Sequence, residues 1–181
     1  MLIAVLDADV LFPMILRDTL LRAAAAELCR VHWTHRIQDE VERNLVSNHR
    51  MPPDKAQGLR RVMESAFPDA LVEGWEGIEC DMPNHPKDRH VAAAAVSIGA
   101  PVIVTSNIKD FRPLPTGLTA MTPDAFLTRL LDDHGENFID VLRTQAAGYR
   151  QEPKTLATLI DHLAGIAPVF GAKAQAWIQN Q

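Results

Sequence analysis

The sequence contains little cysteine and no excess of basic charge. Its two cysteines, Cys29 and Cys80, fit neither a metal-binding nor a redox spacing, and they do not suggest a disulfide framework. We therefore expect buried, reduced thiols and a cytoplasmic location. The formal net charge of -5 argues against a broad basic surface of the kind that binds nucleic acid.

Long apolar runs are also lacking. The first ten residues carry no cationic segment and reach Asp7 after a few apolar positions, so they predict neither a signal peptide nor a membrane span. A length of 181 residues suits one α/β domain with an appendage rather than two domains with cores of their own. The contents of 47% hydrophobic and 23% charged residues are ordinary for a globular protein.

Short apolar runs predict buried strands. Residues 2–6 and 101–105 are continuous runs bounded by polar residues, and residues 70–72 and 118–121 are weaker candidates. Between these runs, apolar residues recur at helical spacing and predict helices. The predicted helices follow Pro13 as far as Leu28, cover residues 36–48, 54–67 and 88–98, and continue from Thr122 onward. Alternation of this kind predicts a three-layer α/β/α fold with a mostly parallel central sheet.

The end of the chain looks like an addition to that fold. After about Asp133 the sequence is helical, with breaks at Gly148, Pro153 and residues 165–168. We therefore predict a main domain of residues 1–133 and a C-terminal helical extension of residues 134–181.

Four acidic residues fall where this fold would bring them together. Asp7 ends the first strand, Glu40 borders the buried stripe of a helix, Asp88 begins a helix, and Asp110 lies in a turn after another strand. Two carboxylates about 4 Å apart repel by about 4 kcal/mol at an effective dielectric near 20, so such a cluster needs protons or a cation. Residues 1–120 carry 13 Lys and Arg against 16 Asp and Glu, so neutralising these four acids would leave a slight positive balance.

An all-oxygen set of ligands favours Mg²⁺ or Mn²⁺ over zinc. Divalent cations held in this way bind a phosphate oxygen, lower the pKa of a water molecule and stabilise a leaving oxygen. The sequence shows no obvious Ser or Cys nucleophile beside the acids, so we expect phosphodiester hydrolysis by direct attack of water, which yields a 5′-phosphate and a 3′-hydroxyl.

Four segments of the chain resemble the motifs of PIN-domain nucleases, and the chain looks like the bacterial VapC-like branch of that family. The resemblance covers about residues 2–130. Its most specific part is the Thr-x-Asn-x-x-Asp-Phe turn after a strand, combined with an Asp-Arg-His helix start. The four segments are residues 5–11, 39–45, 88–94 and 102–111.

The resemblance implies roles for the four acids. Asp7 and Asp88 would be metal ligands, Glu40 would orient a metal or its water, and Asp110 would complete the set.

The resemblance also implies supporting residues. Thr105 and Asn107 would make polar contacts, and Asn107 stands where many relatives carry another Asp, which suggests one tightly held ion and a second that arrives with substrate. Asp9 replaces an Asn and would also support the site.

Basic residues flank the acidic motifs. Arg89, Lys109 and Arg112, with Lys87, are candidates for contacts with RNA phosphates, although scattered Lys and Arg are usually solvated surface. Among the histidines, His90 is expected to pack beside the site.

By resemblance, the expected function is that of a metal-dependent endoribonuclease, the toxin of a type II toxin-antitoxin system. RNA is then the substrate, a small protein antitoxin occupies the acidic groove, and a homodimer is the expected assembly.

Alternatives remain open at this point. Taken singly, Asp88 could be a helix cap, Glu40 a solvated charge and Asp110 a turn residue. Asp7-x-Asp9 at a strand end, with Thr105 later, also suits a haloacid-dehalogenase-type phosphatase with Asp7 as nucleophile. That class needs a later acidic pair on a strand, however, and Asp132-Asp133 fall in a predicted helix. A catalytically silent PIN-like binding module is the third alternative.

Overall fold

A four-stranded, all-parallel sheet forms the centre of the protein in the computed structural model, which describes residues 1–149 and 154–180. The strands are β1 (Leu2–Leu6), β2 (Cys29–His32), β3 (Val102–Val104) and β4 (Thr119–Met121), in the order β2-β1-β3-β4. Helices cover the sheet, so the predicted three-layer α/β/α fold is confirmed.

The helices of the described residues follow the predicted periodicity closely. Their bounds are α1 (Ala8–Leu11), α2 (Met14–Ala25), α3 (His35–Ser47), α4 (Pro53–Ala66), α5 (Arg89–Ser97), α6 (Pro123–His134), α7 (Glu136–Gly148), α8 (Leu156–Ala164) and α9 (Pro168–Gln179). Within this described part, no helix combines the length and the apolar character that a bilayer crossing requires.

The register of the sheet sets the position of the site. Ala4 pairs with Val102 and Leu6 pairs with Val104, so the carboxyl ends of β1 and β3 lie side by side. The backbone N–H of Asp7 donates to the carbonyl of Val104 at 3.0 Å, which continues the ladder by one step. In open parallel α/β sheets, ligands bind just beyond the carboxyl ends of the strands.

Several predicted boundaries are confirmed by local geometry. Thr122 caps α6 by accepting a hydrogen bond from Ala125 N at 3.1 Å, and Pro123 occupies the first turn. The predicted end of α5 at Gly99 is also confirmed, because this glycine adopts a φ of 64° directly after the helix.

Three predictions about individual segments were wrong or incomplete. Residues 70–72 do not form a strand: Leu71 makes only an isolated bridge to Trp33, after a 3₁₀ turn over Pro68–Ala70. Strand β2 was not predicted, because four residues at a sheet edge carry too short a pattern. Cys29 is buried as expected, whereas Cys80 is exposed.

The C-terminal helices pack on one another and on the main domain. Helix α7 packs against α2, and α9 packs against α6 and α8. A buried polar contact joins the first two, because Thr19 Oγ1 donates to Gln145 Oε1 at 2.9 Å. The predicted breaks at Gly148 and residues 165–168 are confirmed, and the predicted break at Pro153 lies outside the described residues.

Candidate metal centre

Asp7 and Asp9 meet the turn after β3 through hydrogen bonds. Thr105 Oγ1 lies 2.9 Å from Asp7 Oδ2 and 3.4 Å from Asp9 Oδ2. The other carboxylate oxygen of Asp7 accepts from Ala8 N at 2.7 Å, and Asp9 Oδ2 accepts from Ser106 N at 2.9 Å. The two carboxylates are therefore fixed on the β3 turn, at the carboxyl edge of the sheet.

Asp88 stands at the N-terminus of α5 but does not cap it. Its side chain makes no capping hydrogen bond, and its Oδ2 atom is buried without a hydrogen-bond partner. This geometry contradicts the interpretation of Asp88 as a helix cap. A buried carboxylate oxygen without a partner is costly, so the position favours a ligand outside the protein.

Asp110 is oriented by the turn that contains it. The amide of Asn107 donates to Asp110 Oδ2, and the Asn107 backbone N–H donates to Thr105 Oγ1 at 3.1 Å. The Asp110 carbonyl accepts from His85 N at 3.0 Å, which ties this turn to the loop before α5.

One compact group of metal-ligating atoms results, within the part of the chain that the structure describes. Ligand atoms of His85, Asp88 and Asp110 all lie within 4.8 Å of one another, and His85 Nδ1 is 3.7 Å from Asp88 Oδ2. Asp7 and Glu40 lie outside this group, although both are close enough to Asp88 for electrostatic coupling.

Sequence reasoning missed His85. The available signal was its spacing from Asp88, since His85-x-x-Asp88 spans one short turn. The structure shows a 3₁₀ turn over Pro86–Asp88 that brings both side chains to the same place.

Glu40 is half-buried on α3, outside the group of ligating atoms, and its charge acts on Asp88. It lines a cleft of about 270 Å³ whose other lining residues are Arg36, Asp39, Arg43, Lys87 and His90. His90 is buried beside the site, as expected. Burial lowers its pKa to about 4, with a further contribution from Arg36 and Lys87, so its ring is neutral at pH 7.

Burial raises the pKa of three carboxyl groups of the site, those of Asp7, Asp9 and Asp88. Burial is the largest cause that raises the pKa of Asp7 to about 7, and the negative charge of Asp9 adds to it, whereas the hydrogen bond from Thr105 opposes the shift. Burial also raises the pKa of Asp9 and of Asp88, and Asp110 and Glu40 contribute to the shift of Asp88. A cation would reverse these shifts.

The donor set fits a divalent cation. Asp9 Oδ1 and Asp88 Oδ2 are buried oxygens without hydrogen-bond partners, and carboxylate oxygens are the ligands that Mg²⁺ and Mn²⁺ prefer. The imidazole of His85 adds a donor that suits Mn²⁺ or another transition metal better than Mg²⁺.

The predicted RNA-contacting residues lie around this cluster. Lys109 and Arg112 are exposed beside Asp110. Arg89 is half-buried, and its Nε donates to the Asn84 carbonyl at 3.2 Å, so this side chain has a structural contact of its own.

The all-parallel sheet with helices around it is consistent with a PIN-like α/β/α fold, and the acidic side chains of Asp7 and Asp110 follow the ends of β1 and β3. Residues 123–176 match the family model described as VapC50 C-terminal domain, so the matched region begins with α6. The chain is also 39% identical over 109 residues to the "Putative ribonuclease VapC50" of Mycobacterium tuberculosis (strain H37Rv). The two matches confirm the resemblance to VapC-like PIN nucleases.

The similarity to that relative is partial. It covers 59% of this chain and 64% of the relative, which is less than two thirds of the relative's length. No solved structure matches the chain.

Proposed function

We propose that the protein is a divalent-metal-dependent endoribonuclease that hydrolyses RNA phosphodiester bonds. The observation that carries the proposal is the group of ligating atoms of His85, Asp88 and Asp110, with Asp7 close enough for its pKa to be raised by the charge of Asp88. Burial also raises the pKa of Asp7 and of Asp88, so a cation would favour their ionised forms. The relative's name as a ribonuclease agrees with this chemistry.

The cation site would be formed by Asp7, Asp88 and Asp110, with Glu40 at its margin and His85 as a further donor. Bound Mg²⁺ or Mn²⁺ would supply a Lewis acid for the scissile phosphate and its attacking water. The protein's own residues would hold the ligating carboxylates in position, and the hydrogen-bond donors that do so are Thr105 and Asn107.

Each supporting residue has a definable task. Thr105 holds the carboxylate of Asp7 through its hydroxyl, and Asn107 holds that of Asp110 through its amide. Ser106 N fixes one oxygen of Asp9, and this leaves the second, partnerless oxygen to receive a hydrogen bond or a cation. We assign Glu40 the orientation of the attacking water, because its charge already acts on Asp88.

The phosphatase alternative lacks its metal-binding acidic pair. Asp132 and Asp133 lie on α6, where Asp132 contacts Lys173 and Asp133 is 2.7 Å from Arg129 Nε. These two carboxylates are thus paired with Lys173 of α9 and with Arg129 of α6 itself, and they lie on a helix rather than on a strand.

We further propose the biological setting that the resemblance implies. The protein would be the toxin of a type II toxin-antitoxin pair in the cytoplasm, act as a homodimer and be inhibited by a protein antitoxin in the acidic groove. Residues 1–133 would form the nuclease domain and residues 134–181 its helical extension, with Lys109, Arg112 and Arg89 near the RNA.

The test uses purified full-length protein and a single-stranded RNA. We expect cleavage with Mn²⁺ or Mg²⁺, none with excess chelator, and loss of cleavage in Asp7→Asn and Asp88→Asn, each checked by circular dichroism. A double variant, D132N/D133N, is the matched control and should cleave normally.

Three results would contradict the proposal. Full cleavage by both Asp7→Asn and Asp88→Asn would remove the carboxylates from the mechanism. Release of phosphate from small monoesters, lost in D132N/D133N, would favour the phosphatase. Divalent ions that affect neither stability nor RNA binding would favour a silent binding module.

A further inference from the structure

The cleft beside Glu40 carries basic side chains that take no part in the hydrogen bonds of the acidic cluster, although the charge of Lys87 lowers the pKa of Asp88. It lies between α3 and the residues around the start of α5, and has a volume of about 270 Å³. Three basic side chains line it, and they are Arg36, Arg43 and Lys87. None of the three contributes to the hydrogen bonds that fix Asp7, Asp9 or Asp110.

Some of the charged side chains in this cleft are paired with residues outside it, and others are not. Asp39 contacts Arg60, so its negative charge is already matched outside the cleft. Arg36 is held by Glu79 through a 2.8 Å contact between Nη1 and Oε1. Among the described residues, Arg43 and Lys87 form no ion pair, so the charge that the cleft offers to a ligand is positive, apart from Glu40.

A buried polar group points to a missing ligand at the same place. His90 lines the cleft, is only 2% exposed, and its Nδ1 atom has no hydrogen-bond partner. Buried polar atoms in native proteins are nearly all hydrogen-bonded, so the unsatisfied ring nitrogen is a second sign of a missing polar partner here. The neutral ring does not select the charge of that partner, whereas the basic side chains of the cleft favour an anion.

We propose that this cleft binds a backbone phosphate of the RNA next to the phosphate that is cleaved. The inference rests on the proposed ribonuclease function and adds a binding site to it. Guanidinium and ammonium groups bind phosphate oxygens through charge-assisted hydrogen bonds, and the planar Arg group does so in a fork. Glu40 lines the cleft and its charge acts on Asp88, so the cleft and the acidic cluster are neighbours that one RNA strand could contact together.

Contacts of this kind position RNA without selecting a sequence. The cleft therefore gives affinity and register, whereas the acidic cluster gives hydrolysis. Replacing a basic side chain of the cleft by a neutral one should raise KM for the RNA and change kcat little.

The test measures binding of a labelled single-stranded RNA in chelator over a salt series, and cleavage with Mn²⁺. Arg43→Gln should weaken binding about fivefold and lower the slope of log K against log salt by about 0.7. The double variant R43Q/K87Q should weaken binding about twentyfold and lower the slope by about 1.4. Arg43→Lys should retain most of the affinity.

Arg61→Gln is the matched control, because Arg61 is an exposed residue of α4 that does not line the cleft. It should bind and cleave like the wild type. Arg43 is also exposed, so its replacement should leave the thermal unfolding midpoint unchanged.

The outcomes separate this inference from the function on which it rests. If the wild type cleaves RNA and R43Q/K87Q binds RNA as Arg61→Gln does, the phosphate site is wrong and the ribonuclease stands. An effect confined to one RNA sequence would overturn the phosphate contact in favour of base recognition. A wild type that neither binds nor cleaves RNA would overturn both.

Discussion

Thr105 donates a hydrogen bond to Asp7 at 2.9 Å, although 98 residues separate the two in the chain. The contact follows from the register of β1 and β3, because Leu6 pairs with Val104. The residue that follows each of these strand ends carries a polar side chain. Asp7 is thus held from a neighbouring strand, and Thr105 in turn accepts from Asn107 N in the turn that carries Asp110.

Replacing Thr105 by Val should impair the site without unfolding the protein. The hydrogen bond from Thr105 lowers the pKa of Asp7, so its loss raises that pKa further and disfavours the ionised form. We expect cleavage to fall at least tenfold at neutral pH, in line with the loss of a partner that orients a ligand. Mn²⁺ binding should require a higher pH, as measured by calorimetry over a pH series.

Thr105→Ser is the control, because it keeps the hydroxyl and should stay close to the wild type. Equal pH dependence of Mn²⁺ binding in Thr105→Val and the wild type would disprove the positioning role.

The metal-free protein should lose stability as the pH rises. The pKa of Asp7 is about 7 in the folded state against an ordinary value of 3.8, so protonated Asp7 favours the folded state. Its contribution is complete below pH 3.8 and is lost as the pH rises through about 7. The loss amounts to about 4 kcal/mol at most between pH 4 and pH 8.

Urea unfolding in chelator should show this dependence for the wild type and a weaker one for Asp7→Asn, which cannot ionise at this position. Added Mn²⁺ should restore wild-type stability at pH 8. Parallel stability curves for the two proteins in chelator would refute the shifted pKa.

His85→Ala should distinguish between the two candidate ions. Imidazole is a better ligand for Mn²⁺ than for Mg²⁺, and His85 lies within ligating range of Asp88 and Asp110. We expect Mn²⁺ affinity to fall about tenfold and Mg²⁺ affinity to change much less. His134→Ala, on α6, is the control, and an unchanged Mn²⁺ affinity in His85→Ala would exclude His85 as a ligand.

Gly171→Ala should destabilise the C-terminal region. A Cβ atom at Gly171 would lie 2.4 Å from the Cβ and 2.9 Å from the Cα of Ala164, so α8 and α9 would have to separate. The expected loss is about 1–3 kcal/mol in the free energy of unfolding.

Gly58→Ala, in α4, provides the opposite case, since nothing lies within 4 Å of the added atom. It should stabilise the protein by about 0.5–1 kcal/mol, because Ala favours a helix interior over Gly. Equal stability of the two variants would rule out the tight contact of α8 with α9.

Most of the fold could be predicted because periodicity is a local property. The continuous run of residues 2–6 and the spacing of apolar residues in α3 and α5 identify buried elements directly. Strand β2 and the bridge at Leu71 could not be found, because they are short and depend on pairing with distant backbone rather than on a pattern of their own.

The site was predictable in part. The sequence placed Asp7, Asp88 and Asp110 at element ends that parallel topology brings to one edge of a sheet. It could not place His85 among them, and it allowed Asp88 to be a cap, because both questions depend on side-chain direction over a single turn.

By itself, the sequence determined the class of fold, the order of most elements and the acidic residues at their ends, because hydrophobic periodicity and residue chemistry are local properties of the chain. Only the tertiary structure decided which of those residues share a site and how readily each one ionises. Distances between atoms far apart in the chain, and the burial that raises the pKa of Asp7, arise when the strands pair and the helices cover them.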